Sequence, residues 1–306
     1  MKDIMRVLSE YSLPESIPVV LLRESADNFV YLVGEDQKKV LRISKRLPVE
    51  DIKFEYEANQ YLSKKSSLFS KWIKTLKGDC YTVVNEVVAV MFEYVDGHNI
   101  NIDKDHLPEL NIAYSAGRGL GEMRNAGAGF SQVSPRKRTI FSELERVLKI
   151  SDKFKKEFEG GEKFVQEVES SLEFARNQNE VTGLIHNDYR PGNVIFDNGD
   201  NLVGIIDFDW SCTGPLIKDL ALAAVEWSFP DGSDEPNFLI FDAFLDGYNS
   251  VSEIKIEKNE NLYSWIKFSL LSDAATYFCD LAEDPNSEKR VIRSYMYRKY
   301  NFFSKI

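Results

Sequence analysis

The sequence predicts an α+β chain in two unequal lobes: an N-terminal antiparallel sheet with one main helix, then a larger, mainly helical C-terminal part. Three observations carry this. Short β-branched and aromatic runs fill the first ninety or so residues, helical spacing of apolar residues takes over beyond about residue 97, and one hairpin-like stretch at 183–210 interrupts the helices. With 306 residues, 43% hydrophobic and 12% aromatic, the chain has material for roughly two cores at about 100 to 200 residues per domain. The boundary falls at the turn signal Val95-Asp96-Gly97, giving parts of 1–94 and 95–306 with a hinge at about 92–97.

The elements follow in order. Residues 18–22, 29–33 and 39–43 are strand-like runs separated by polar turns such as Gly34-Glu35-Asp36, the pattern of an antiparallel meander. Over 49–65, after Pro48 and with acids in the first turn, Ile52, Tyr56 and Leu62 come close to helical spacing. Strands at 81–85 and 88–94 end the first part. Helices are expected over 110–124, through a charged stretch at 142–177, around 238–249 and over 262–281. Between the second and third of these, 193–196 and 202–206 read as hairpin arms joined by Asp197-Asn198-Gly199-Asp200.

A net charge of −11 and a pI near 5.0 argue against nucleic acid or an anionic membrane as partner. The cluster Arg136-Lys137-Arg138 is short and reads as a solvated loop. No apolar run approaches the roughly 18 residues of a membrane span, and no N-terminal segment has the order of a secretion signal, so a cytoplasmic protein is expected. Cys80, Cys212 and Cys279 lack Cys-x-x-Cys pairing and adjacent histidines, which favours free thiols over zinc or disulfides. Gly117-Arg118-Gly119-Leu120-Gly121 has the wrong spacing for a dinucleotide loop and no preceding strand.

Chemistry concentrates in the hairpin stretch. His186, Asp188, Asn193, Asp207 and Asp209 lie within two dozen residues, with Asp188 and Asn193 in a Pro-Gly loop before one arm and Asp207 and Asp209 where the other ends. Asp and Asn oxygens suit a hard cation such as Mg²⁺, which takes a few protein oxygens beside substrate phosphates. A further carboxylate can orient and accept the proton of an attacking hydroxyl. Phosphoryl transfer needs this combination of charge neutralisation and positioning.

The stretch HNDYRPGNVIF…GIIDFDWSCTGPLIKDLA, with His-x-Asp-x-x-x-x-Asn followed by Asp-Phe-Asp, resembles the aminoglycoside phosphotransferase and choline kinase family. These are small-molecule relatives of protein kinases and include homoserine kinase-like members. The resemblance implies a two-lobed protein-kinase-like fold and a Mg-ATP-dependent kinase acting on a small-molecule hydroxyl, with GTP as an open alternative donor. It makes Asp188 the catalytic base, His186 a loop organiser, and Asn193, Asp207 and Asp209 the metal set. Asp219 becomes an anchor for the catalytic loop. Arg42 occupies the third-strand position usually held by a phosphate-binding lysine, with Glu57 its expected helix partner and Glu55 the alternative. In the hinge, the Glu93 carbonyl and Val95 amide hold the adenine edge and Phe92 lines its pocket.

Two departures stand out. The glycine-rich loop of protein kinases is replaced by Glu24-Ser25-Ala26-Asp27-Asn28, which puts Ser25 at the nucleotide, and residue 42 carries a forked guanidinium instead of an ammonium. The acids Glu226, Asp231, Asp234, Glu235, Asp273, Asp280, Glu283 and Asp284 suit a cationic acceptor such as an aminoglycoside, choline or homoserine through its ammonium. A nucleotide-binding pseudokinase or protein kinase-like regulator is the competing class.

Overall fold

The computed structural model describes residues 2–25, 27–45, 48–284, 287, 289, 291 and 295–306. Contacts divide the chain into two compact units, one of Met1–His98, Gly129–Lys137 and Ile195–Asp209, the other of Asn99–Ala128, Arg138–Val194 and Trp210–Ile306. The first therefore takes in two later segments that chain order alone does not reveal.

In the first unit, β1 (Val19–Glu24), β2 (Asn28–Val33), β3 (Lys39–Ser44), β4 (Trp72–Ile73), β5 (Thr82–Val84) and β6 (Val87–Glu93) form an antiparallel sheet of order β1-β2-β3-β6-β4, with β5 also on β6. Asn85 and Glu86, both at positive φ, close the β5–β6 hairpin as a two-residue turn requires. Alternation along the strands sorts the two faces. Leu41, Ile43, Ala89 and Met91 pack with Val7, Leu8 and Tyr11, the first two from α1 (Lys2–Ser9), a helix the sequence reading did not anticipate. Val88 and Val90 lie on the opposite face with Trp72 and with Ile52 of α2 (Val49–Ser63). Arg42 sits between Leu41 and Ile43 in β3, so it points to the α2 face.

The second unit holds α3 (Leu110–Gly127), α4 (Ser142–Lys149), α5 (Ser151–Glu157), α6 (Gly161–Arg176), α7 (Leu216–Ser228), α8 (Phe238–Val251), α9 (Glu260–Glu283) and α10 (Tyr295–Phe303). The charged stretch at 142–177 is thus three helices, interrupted at Ile150 and again before Gly161, where Gly160 adopts φ 80°. Helix α7 is buried on nearly all sides, which removes the apolar stripe that makes a helix readable. The Gly117 motif has a packing role: a Cβ there would lie 1.9 Å from the Phe244 carbonyl oxygen, so α3 and α8 touch backbone to backbone. A short antiparallel pair, β7 (Thr182–Ile185) with β10 (Cys212–Pro215), flanks the expected hairpin of β8 (Val194–Phe196) and β9 (Leu202–Ile205). All three cysteines are free, and among the described residues no helix is long and apolar enough to cross a membrane.

Candidate active site

Two groups of polar side chains stand out, one in each unit. In the first unit, Arg42 donates through Nη1 and Nη2 to Glu55 at 2.9 and 2.5 Å, and through Nη1 to Asp207 Oδ1 at 3.3 Å. Glu55, and not Glu57, is the helix partner. Ile52, Glu55, Ala58, Asn59 and Leu62 share the buried stripe of α2, whereas Glu57 lies about 200° further round the helix and accepts instead from the Ser134 amide and hydroxyl. Burial alone would lower the Arg42 pKa, but Glu55, then Asp209 and Asp207, raise it above its ordinary value and keep it charged.

Asp207 stands at φ 67°, a conformation that Asp tolerates better than most residues. Two residues on, Asp209 is buried and accepts from Asn28 Nδ2 at 2.8 Å. Asn28 is also the closing residue of the β1–β2 turn: its amide reaches Ser25 Oγ at 3.0 Å and its carbonyl accepts from the Ser25 amide at 2.9 Å. Ala26 of that turn lies outside the described residues. The solvated-loop reading of Arg136 fails, because its side chain is 2% exposed, pairs with Asp51 at 3.6 Å and donates to the Asp209 carbonyl. Asp51 is also buried, so Arg136 ties the acid segment to α2. Arg138 lies 3.7 Å from the Trp210 ring centroid.

The linker segment is also fixed within the first unit. Gly97, at φ 147°, lets the backbone lie against Phe196, where a Cβ would meet the carbonyl oxygen at 2.4 Å; His98 and Phe196 exchange two hydrogen bonds of 2.9 Å. Phe92 packs on Trp72 at 4.6 Å between centroids, and the Arg42 guanidinium lies 5.5 Å from its ring. The Glu93 carbonyl accepts from Ser70 Oγ at 2.8 Å.

In the second unit the loop after β7 is pinned from beneath. Both oxygens of buried Asp219 on α7 accept backbone amides, from His186 at 2.8 Å and Asn187 at 2.7 Å. Burial pushes the Asp219 carboxyl up. Asn187 takes φ 64° and is held there by buried Lys218, which donates to its Oδ1, and by its own bond to the Trp210 carbonyl at 3.2 Å. His186 is fully buried with its ring edge-on to Tyr189, whose hydroxyl donates to the Ala116 carbonyl at 2.8 Å.

The loop presents Asp188 with each carboxylate oxygen engaged. Asn193 Nδ2 donates to Oδ2 at 2.8 Å and Arg190 Nε donates to Oδ1. The Asn193 amide also reaches the Asp188 carbonyl at 2.8 Å, so its Nδ2 faces the aspartate and its Oδ1 is turned away. Arg190 continues the network towards Glu226 at 3.8 Å and Asp273 at 3.5 Å, and Lys299 of α10 binds Glu226 at 2.6 Å. Burial opposes ionisation of Glu226, yet Lys299 and Arg190 bring its carboxyl below the usual value, while burial leaves that of Asp273 raised. Sequence reasoning offered Glu55 only as the alternative to Glu57 and gave no site role to Asn28, Arg136, Arg190, Lys218 and Lys299; of these only Glu55 had a local signal, its place in the apolar stripe.

Residues 19–254 match the model of the phosphotransferase enzyme family. The homoserine kinase of Rhizobium etli is 26% identical over 272 residues, covering 84% of this chain and 78% of that protein. The homoserine kinase of Hyphomonas neptunium is 25% identical over 299 residues, covering 91% and 86%. Among solved structures, an amicoumacin kinase in complex with AMP-PNP, Ca²⁺ and its ligand superposes with a TM-score of 0.75 at 16% identity, covering 99% of this chain and 92% of its own. That likeness gives the fold, which is protein-kinase-like.

Proposed function

The chain belongs to the phosphotransferase enzyme family, and on that footing we propose that it is a cytoplasmic kinase using Mg-ATP to phosphorylate the hydroxyl of a small, amine-bearing, homoserine-like molecule. The observation that carries this is Asp188: a carboxylate 17% exposed, oriented on both oxygens and mounted on a loop whose backbone is pinned by Asp219. Turn-capping aspartates need none of that support. Asp188 orients the acceptor hydroxyl and takes its proton as the oxygen attacks the γ-phosphorus and the bond to the bridging oxygen breaks, releasing ADP. Asn193 Nδ2 holds the accepting carboxylate in place.

The donor set fits Mg²⁺ because Asn193 Oδ1 and the Asp207 carboxylate are hard oxygens, and this cation takes one or two such ligands beside phosphates and water. When bound it supplies neutralisation of phosphate charge. Asp209, tied to Asn28, is assigned to holding the β1–β2 turn over the nucleotide rather than to the metal. Arg42, anchored by Glu55, contacts phosphate; Val95 and Glu93 offer their backbone to adenine, and Phe92 borders the base. The homoserine kinase relatives favour an amino-acid-like acceptor over a sugar.

The test is a panel of homoserine, choline, 3-aminopropan-1-ol, an aminoglycoside and neutral sugars with Mg-ATP or Mg-GTP, read by mass spectrometry for a gained phosphoryl group. Transfer to an amine-bearing acceptor is expected. Activity confined to neutral sugars, or nucleotide binding with no product and no nucleotide consumption, overturns the proposal.

A further inference from the structure

Beside Arg190, wholly within the second unit, lies a cavity of about 470 Å³ whose polar lining is Asn99, Asn101, Arg190, Glu226, Asp231 and Lys299. Its charged lining is balanced, two cations against two anions. The acids that would call for a cationic ligand are largely engaged elsewhere: Asp280 and Glu283 by Arg146 at 3.0 and 2.7 Å, and Asp234 by Arg298 at 3.1 Å. The guanidinium of Arg190 is less committed. Of its five N–H donors, the Nε–H is bound to Asp188, while the Nη1 and Nη2 contacts to Glu226 and Asp273 are 3.8 and 3.5 Å, beyond a good hydrogen bond.

Resting on the kinase reading above, we propose that this cavity is the acceptor subsite and that Arg190 and Lys299 select a carboxylate there, making the acceptor a small zwitterionic hydroxy amino acid rather than a simple amine or a polycation. A planar carboxylate matches the Nη edge of a guanidinium through two parallel hydrogen bonds, and Lys299 adds the second positive charge. Glu226 and Asp231 serve the ammonium. The guanidinium that anchors the carboxylate also holds Asp188 through Nε, so the anchored group and the base are one guanidinium apart, a gap that a short carbon chain spans to the hydroxyl. A net-neutral ligand in a balanced lining leaves no buried charge uncompensated, whereas a polycation sets like charge against Arg190 and Lys299.

Calorimetric titration of the nucleotide-free protein with L-homoserine and with 3-aminopropan-1-ol, the same molecule without its carboxylate, reads the subsite independently of turnover. Homoserine is expected to bind about 10- to 100-fold more tightly, the worth of a charge-assisted hydrogen bond or two. Lys299→Gln lowers homoserine affinity about tenfold with little change for the amino alcohol, and Lys299→Arg restores it. Circular dichroism checks the fold; should Lys299→Gln misfold, the Lys299→Met/Glu226→Gln double variant removes the pair together and must lose the same preference. No homoserine binding, equal binding of the two ligands, or homoserine affinity untouched by loss of Lys299 overturns the proposal. Equal kcat/KM for both acceptors overturns the subsite and leaves the kinase reading standing, while selective binding with no transfer to any acceptor overturns the kinase reading alone.

Discussion

Each unit buries a network of ionised side chains, but the two are built around different cations. In the first, arginines stand at the centre: Arg42 closes on Glu55 through both Nη groups, and Arg136 ties Asp51 to the Asp209 backbone. In the second, two of the three central cations are the lysines Lys218 and Lys299, and the one arginine, Arg190, keeps long contacts on the wall of a cavity. A guanidinium stays charged at any working pH and grips a carboxylate through a fixed fork, whereas an ammonium is compact and loses its charge when burial demands it. The first network is a closed frame. The second is looser at one point, where the Nη groups of Arg190 stay 3.5 to 3.8 Å from Asp273 and Glu226.

The largest effect expected is on the looser side. Asp188→Asn keeps the shape of the loop and removes the base, so kcat should fall by about 10²- to 10⁴-fold, the usual worth of general-base catalysis. Nucleotide affinity, assigned to the first unit, should stay near wild type by equilibrium titration. Near-normal turnover would move the base to another residue.

The closed frame should break through one glutamate and not its neighbour. Glu55→Gln leaves the Arg42 charge buried without its main partner, which costs about 3–5 kcal/mol. Glu57→Gln removes only a partly buried bond to Ser134 and should cost about 0.5–1.5 kcal/mol. Denaturant unfolding of the two variants decides: equal losses would mean that Arg42 is not held by Glu55 alone.

The legibility of the site follows from sequence distance. Asp188 and Asn193 are five residues apart on one loop, and Asp207 and Asp209 end one strand, so their spacing is written locally. The Arg42 partner was narrowed to two glutamates because a helix after a strand is also local, and the choice between them needed the burial pattern of α2. Arg136 with Asp51, Asn28 with Asp209, and Lys299 with Glu226 join residues 73 to 181 positions apart, and nothing in the chain's periodicity encodes such pairs. The fold shows the same limit. Strands β2, β3 and β6 are legible as β-branched and aromatic runs, but α7, buried nearly all round, has no stripe to betray it, and β7 and β10 are four-residue strands that pair across the long segment separating them in the chain.

The smallest effect separates the two networks most directly, through pH. Burial lowers the Lys218 pKa below its ordinary 10.5, despite the nearby carboxyl groups of Asp219, Asp273 and Asp188 that raise it. Between the folded-state value and 10.5, the unfolded chain carries the proton and the folded chain does not, so stability contributed by this residue rises with pH across that window and is flat below it. Removal of the proton does not break the loop, because a neutral amine still donates to Asn187 Oδ1. The stability difference between wild type and Lys218→Met should therefore grow in favour of wild type as unfolding is repeated from about pH 7 to pH 10. The corresponding difference for Arg42→Met/Glu55→Gln should stay flat over the same range, since the Arg42 guanidinium does not titrate there. A flat curve for Lys218 as well would mean that its ammonium stays ionised throughout, and the second network would then be as fixed in charge as the first.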